Sequence, residues 1–311
     1  MKDLTIIMPF LNEENEPYET IKSIYSTCNT KRFDIIAIDD CSPQKYDFGK
    51  FPDVKYIRNH TRSGVDACRQ MGAEIANTPY LFIIDAHMRF RPDDWLNKTI
   101  ECLKREPTTA WCTVCVGLGY GTMDINKNKG KYHGADMLFV AASVNKNRPS
   151  RECLEPKWTS AKPGLEYEIP CILGANYGFT KEWFNHIRGL KGLKSWGSSE
   201  PFLSLKTYMA GGKCKIRTDI EIGHKFRDNA PYTTQIGDLY YNKIYICKTL
   251  FPDEFGQKII NCLPKDTNFS KAQAMIEENK NFIEESRKYY KGIFVSSIYD
   301  YCKKFNINLP S

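Results

Sequence analysis

The sequence predicts an α/β fold: a mostly parallel twisted sheet flanked by helices, followed by a helical C-terminal extension. Three observations predict it. Short apolar runs alternate with amphipathic segments of helical spacing through the first half of the chain, two of those runs end at an acid, and after Arg227 the pattern is helical to the end. Strands alternating with helices of this length imply parallel neighbours with both faces of the sheet covered. A chain of 311 residues holds one large domain or two small ones, and 41% hydrophobic with 26% charged residues excludes a disordered or fibrous chain.

Taken in order, Thr5–Met8 is a short apolar strand. Ile21, Ile24, Tyr25 and Cys28 then share one helical face. Asp34–Asp39 and Val54–Arg58 are the next strands. Gly64–Ala76 reads as a helix with Ala67, Cys68, Met71 and Ile75 inward. Tyr80–Ile84 is a strand ending at Asp85, and Asp93 caps a helix carrying Trp95, Leu96, Ile100 and Leu103. Ala110–Leu118 is a buried strand containing Cys112 and Cys115. Residues 122–162, with eight basic and four acidic side chains from 124 onward, read as a basic insertion or lid with one strand at Met137–Ala142. Cys171–Phe179 is a strand. Glu200–Met209 is a helix stopped by Gly211-Gly212, and Lys213–Thr218 is a strand. Helices are expected at Asp238–Leu250, Phe255–Cys262 and Lys271–Tyr290. The domain division is therefore 1–232 for the sheet and 233–311 for the helical extension.

The net charge of +7 suits a chain that handles phosphate esters or rests against an anionic polymer, though many enzymes with neither habit carry it. No apolar run approaches the roughly 20 residues that cross a bilayer. The N-terminus enters a strand directly, without the pattern of a signal peptide. The 12 cysteines are too dilute for a disulfide scaffold, so reduced thiols and a cytoplasmic location are expected.

Asp85-Ala86-His87 follows a buried strand, and alternate positions at a strand end point the same way, so the carboxylate and imidazole can share a cation. Alone, the tripeptide reads equally as an acid and a histidine paired with each other at a loop start. Three further segments add weight. Asp39-Asp40-Cys41-Ser42 ends the second strand, and a carboxylate there can accept from a planar base. Arg62 to Ala73 combines glycines that allow close backbone approach with arginines that pair phosphate oxygens. Gly223-His224-Lys225-Phe226-Arg227 offers a second imidazole and another guanidinium. Each is also read plainly, as a turn cap, an amphipathic helix with a basic face, or a loop.

Together, and in this order, these segments resemble the GT-A nucleotide-sugar glycosyltransferases, in particular the polypeptide N-acetylgalactosaminyltransferases and their bacterial and phage relatives. The resemblance runs from Thr5 to about Tyr232. It rests on Phe10-Leu11-Asn12-Glu13, Ile38 to Ser42, the stretch Arg62 to Ala73, Asp85-Ala86-His87, Trp196 to Glu200 with Gly211-Gly212, and Gly223 to Tyr232. It implies a GT-A, Rossmann-like sheet and a family 2 glycosyltransferase. It further implies that Asp85, His87 and His224 hold a divalent cation, Mn2+, bridging the diphosphate of a UDP-sugar donor. By the same resemblance Asp40 reads the uracil beside Phe10 and Asn12. Gly64, Arg69 and Ala86 join the donor site, Arg227 contacts phosphate or sugar, and Trp196 and Glu200 face the sugar and the incoming hydroxyl.

The pattern departs from that family at Arg89, Ser199 and Ala67, where acids or an arginine are expected. The membrane anchor, stem and lectin module of the family are not expected here. Retention of anomeric configuration is implied, while Glu200 could instead serve as the base of an inverting route. The acceptor stays open between a hydroxymethylated base in phage DNA and a protein or glycan hydroxyl in a bacterium. Trp158, Tyr167 and Tyr177 are candidates for a pocket that would take a flipped base. A catalytically inactive nucleotide-sugar-binding protein is the rival reading.

Overall fold

The computed structural model describes residues 2–28, 32–119, 128–140, 153–227 and 231–308. Much of the basic insertion, 122–127 and 141–152, therefore lies outside the described residues, as does the end of the strand expected there.

One side of the main sheet comprises β1 (Leu4–Phe10), β2 (Phe33–Asp39), β3 (Val54–Arg58) and β4 (Tyr80–Ile84) in the order β4-β1-β2-β3, all parallel. Its crossovers carry α1 (Glu16–Thr27) and α2 (Val65–Ile75). Beyond β4 the sheet becomes mixed. It continues through β11 (Asn176–Thr180), which is antiparallel to both neighbours, to β6 (Thr109–Leu118), β12 (Lys213–His224) and β10 (Glu166–Glu168). Two short strands extend its rim: β5 (Met88–Arg89) pairs with β12, and β7 (Asn128–Tyr132) with β6. A separate ribbon from the insertion joins β8 (Ala135–Leu138) to β9 (Glu155–Trp158). β1 and β6 are buried along their whole lengths, as central strands covered on both faces must be.

The expected fold class stands, and several local readings change. The inner face of α2 is not Ala67, Met71 and Ile75, which are half-buried. Asp66, Arg69, Gly72 and Ala73 face inward instead, beside Cys68. The polar pair points at the site while Gly72 lets the helix close on β1: a Cβ there would lie 2.4 Å from the Ile7 side chain. Asp93 does not cap α3 (Trp95–Arg105). Asp94 holds the cap position in a left-handed conformation, its side chain accepting from Asn97 rather than from a helix amide, and Asp93 accepts from the Glu221 amide at 3.4 Å. Residues 171–175 form only an isolated bridge, and the strand starts at Asn176. β12 runs six residues past the expected end at Thr218. A register irregularity between Arg217 and Glu221 keeps it paired with β6.

Helices α4 (Lys181–His186) and α5 (Ser199–Met209) follow β11. The expected glycine stop of α5 is a Schellman cap: the Gly211 and Gly212 amides donate to the Tyr208 and Thr207 carbonyls, with Gly211 at φ 92°. The C-terminal stretch is α6 (Ile236–Leu250), α7 (Asp253–Asn261), α8 (Thr267–Glu278), α9 (Lys280–Ile293) and α10 (Ile298–Phe305), so the helix expected over Lys271–Tyr290 is two, broken at Asn279. One apolar cluster contains residues from β1 through α10. Among the described residues no helix is long and apolar enough to cross a membrane, and all 12 cysteines are free thiols.

Candidate active site

Strand ends create the site. β4 delivers Asp85 to the carboxyl edge of the sheet, where its amide donates to the Ala175 carbonyl at 3.0 Å. The antiparallel β5–β12 pair sets His224 opposite Met88, and the Lys225 amide donates to the His87 carbonyl at 3.1 Å. The two imidazoles therefore meet, Nε2 to Nε2 at 3.1 Å, with His224 Nε2 also 3.3 Å from Asp85 Oδ2. One ligand atom from each of Asp85, His87 and His224 lies within 4.8 Å of the other two. Thr20 on α1 locks the intervening loop by donating to the Ala86 carbonyl at 2.7 Å and accepting from the Met88 amide. Ala86 thus contributes its backbone.

Two imidazole nitrogens aimed at each other beside a carboxylate are the donor set of a divalent cation that takes mixed N and O ligands. The surroundings fit such an ion. Burial and the neighbouring positive groups lower the pKa of His224, so it is neutral near pH 7 and free to donate a lone pair, while its Nδ1 is buried without a partner. Burial alone would raise Asp85, but its hydrogen bond to His224 and the charge of Arg69 hold it well below the usual carboxylate range. On the far side of His87, Glu13 lies 3.3 Å from Nδ1, and Arg227 contacts both that nitrogen and Glu13. Together the carboxylate and the guanidinium hold the His87 ring in place. Burial opposes the charge on Glu13, but His87 and Arg227 keep its pKa low. The letters of Phe10-Leu11-Asn12-Glu13 did not single it out, since only the fold brings residue 13 to residue 87.

A cavity of about 530 Å³ opens beside this cluster. Phe10, Asp40, Arg69, Ala86, Trp196, Glu200 and Arg227 line it with the three candidate ligands. Asn12 and Gly64 stand behind its walls. Asn12 donates to the Pro231 carbonyl at 3.3 Å. Gly64 opens α2 at φ 93°, so close to Ser195 that an added Cβ would sit 2.3 Å from the Ser195 Cα. Asp40 accepts from the Ser63 and Gly64 amides, both at 2.7 Å, and from Asn59 at 2.9 Å. Three of its roughly four acceptor positions thus hold the loop 59–64 rather than facing a base. Phe10 packs edge-on to Tyr46 at 4.8 Å and anchors an aromatic patch with Phe48. Arg89 turns from the candidate cation site to Glu16 at 2.8 Å.

Arg69 is buried between Asp66 at 3.4 Å and Asp85 at 3.1 Å. Asp66 also accepts from Ser199 at 2.6 Å, and burial raises its carboxyl to about 6 against the pull of Arg69. Placing serine at 199 and the acid at 200 thus gives 199 a structural bond and sends Glu200 into the cavity beside Gly174. Burial raises Glu200 to about 7, with Arg69 partly offsetting it. Of the three aromatic residues considered for a flipped base, only Trp158 lines the cavity. Tyr177 is buried in β11 with Arg69 over its ring, and Tyr167 accepts from the Lys162 amide on the sheet edge.

The parallel half-sheet thus brings an Asp-x-His at a strand end together with a distant histidine, the arrangement that the resemblance to the nucleotide-sugar glycosyltransferases implies. Residues 5–187 match the family model "Glycosyl transferase family 2", and the chain belongs to that family. Human polypeptide N-acetylgalactosaminyltransferase 14 is 25% identical over 92% of this chain and 52% of its own length. Human polypeptide N-acetylgalactosaminyltransferase 10 is 22% identical over 89% of this chain and 47% of its own length. The chain spans about half the length of the curated relatives it matches. Among solved structures, GalNAc-T7 with UDP, GalNAc and Mn2+ superposes with a TM-score of 0.72 at 18% identity, over 98% of this chain and 57% of that one. Staphylococcus aureus TarS with UDP-GlcNAc superposes with a TM-score of 0.56 at 12% identity, over 91% and 75%. These likenesses show the GT-A fold, and the first takes in the C-terminal helices as well as the sheet.

Proposed function

We propose that this chain transfers an N-acetylhexosamine, with UDP-GalNAc as the first donor to test, from a UDP-sugar to a hydroxyl. The observation that carries the reading is the Asp85–His87–His224 cluster at the mouth of a cavity large enough for a nucleotide-sugar. Asp85, His87 and His224 would hold Mn2+, which when bound supplies Lewis-acid neutralisation of the departing diphosphate. Glu13 orients the His87 ring. Arg69 and Arg227 place positive charge where phosphate oxygens gather. Phe10 offers its aromatic face to the base. Trp196 and Trp158 wall off water from the sugar, and Glu200 accepts from hydroxyls of the donor sugar or acceptor in its ionised form.

The acceptor proposed is a serine or threonine hydroxyl, following the names of the polypeptide transferases it resembles. Retention of configuration follows the same resemblance. A hydroxymethylated base gains no support from the cavity, since Tyr167 and Tyr177 lie elsewhere. The experiment is UDP release from UDP-GalNAc with and without Mn2+, then mass spectrometry of peptide acceptors. Release that needs Mn2+ and is lost on chelation supports the reading. No release from any UDP-sugar leaves only a binding protein.

A further inference from the structure

Helix α6 reaches the cavity without lining it. Asn242 and Lys243 are neighbours on that helix, and neither is exposed. Three of the four hydrogen-bonding positions of the Asn242 side chain go to a single loop. Its Nδ2 donates to the carbonyls of Lys194 at 2.8 Å and Gly197 at 3.0 Å, and its Oδ1 accepts from the Lys194 amide at 2.7 Å. That loop carries Trp196. It holds Ser195 at φ 51°, Gly197 at 111° and Ser198 at 64°. Non-glycine residues at positive φ cost free energy and persist only where their surroundings over-determine them. Leu239, one turn earlier on α6, closes on the same loop: a Cβ on Gly197 would lie 2.4 Å from its Cδ1.

Lys243 grips the other wall. Its buried ammonium donates to the Cys153 carbonyl and to Glu155 Oε1, the latter at 2.7 Å. Glu155 opens β9 and Trp158 ends it. The Trp158 ring packs on Tyr132 and Phe226 at 5.0 and 5.5 Å, and Phe226 stands 4.4 Å from the His224 ring. A buried ammonium is tolerated only when paired, so the partners of Lys243 are constrained to stay where they are.

We propose that Asn242 and Lys243 are positioning residues that set the two tryptophan walls of the cavity, Trp196 and Trp158, from outside it. The proposal rests on the sugar-transfer reading for its kinetic readout alone. The candidate cation ligands and Phe10, on β1, β12 and the turn after β4, share no bond with either residue, and the two sides touch where Gly64 pairs with Ser195 and Phe226 stands beside His224. Loosening the α6 ties should therefore disturb the sugar side and spare nucleotide binding.

The test uses the full chain with Asn242→Ala and Glu155→Gln, three measurements each. Calorimetry with UDP and Mn2+ should give affinities within about threefold of the parent. UDP release from UDP-GalNAc should fall roughly ten- to a hundredfold in kcat, the scale expected when a reacting group is misplaced by about an ångström. Hydrogen exchange should quicken about tenfold or more in 194–198 for Asn242→Ala and in 153–158 for Glu155→Gln, each in its own segment. Unchanged exchange in both segments, or UDP affinity falling in step with kcat, overturns the proposal. Should Asn242→Ala not fold, Glu155→Gln decides it, because the amide keeps the side chain's shape. If the parent releases no UDP from any UDP-sugar, the transfer reading fails while the exchange pattern still decides this one.

Discussion

On one side of the cavity, Asp40 and Asp85 follow directly on β2 and β4, His224 ends β12, and each is set by strand register and a few backbone hydrogen bonds. On the other side, Trp196 and Trp158 stand on irregular or short segments tied to α6 by buried side chains far along the chain. A ladder of backbone bonds positions any residue type at a strand end. An irregular loop needs particular partners, and here they come from about 45 and 90 residues away. The candidate cation side is thus set by backbone pairing and the opposite wall by buried side-chain ties, and both reach across distant parts of the chain.

The largest effect that would sharpen this contrast is at the cation cluster. His224→Ala should cost about a thousandfold or more in Mn2+-dependent UDP release, equivalent to several kcal/mol of charge stabilisation, with the fold intact by circular dichroism. Turnover unchanged in that variant would remove His224 from the ligand set. Gly64→Val comes next, since it places a branched side chain at φ 93° with its Cβ against the Ser195 backbone. Roughly 3 kcal/mol should be lost in urea unfolding, and a loss below about 0.5 kcal/mol would show that the two walls are not braced there. Asp40→Asn, which weakens the loop 59–64 by removing charge from three hydrogen bonds, should cost about 1–3 kcal/mol. If Asp40 reads a base instead, UDP affinity will fall with little change in stability.

The smallest effect is a pH dependence. Glu200 titrates near 7, so its ionised fraction drops about tenfold between pH 8 and pH 6. KM for UDP-GalNAc should rise by about that factor on acidification, and Glu200→Gln should flatten the profile. The stability sign runs the other way. A carboxyl raised above its unfolded value binds its proton more tightly when folded, so its cost to stability grows as pH rises from about 4.5 to 7. Glu200→Gln should therefore stabilise the chain more at pH 8 than at pH 5, by thermal unfolding without metal or nucleotide.

The alternation of apolar runs and amphipathic segments was enough for the parallel half-sheet, and Asp85-Ala86-His87 was visible because a strand end projects alternate residues together. The length of β12 was not visible. Asp219 and Glu221 interrupt its apolar pattern, and only the folded chain supplies Lys98 and Arg91 to pair with them at 3.1 and 2.8 Å. The face of α2 was misread for a related reason. Periodicity assigns the inside to apolar residues, whereas Asp66 and Arg69 are inside because they answer Ser199 and Asp85 from other elements.

By itself, then, the amino-acid order determined the fold class, through periods of two and 3.6 in short windows, while the candidate cation ligands and the residues around them came from motifs that resemble a known family. Tertiary structure alone decided that Glu13 stands behind His87, that Asp40 binds a loop, that Ser199 bonds Asp66, and that α6 is tied to the segments carrying the tryptophans. Each of these is a pairing between buried polar groups distant in sequence. Burial makes such pairing obligatory without saying in advance which partner will be there.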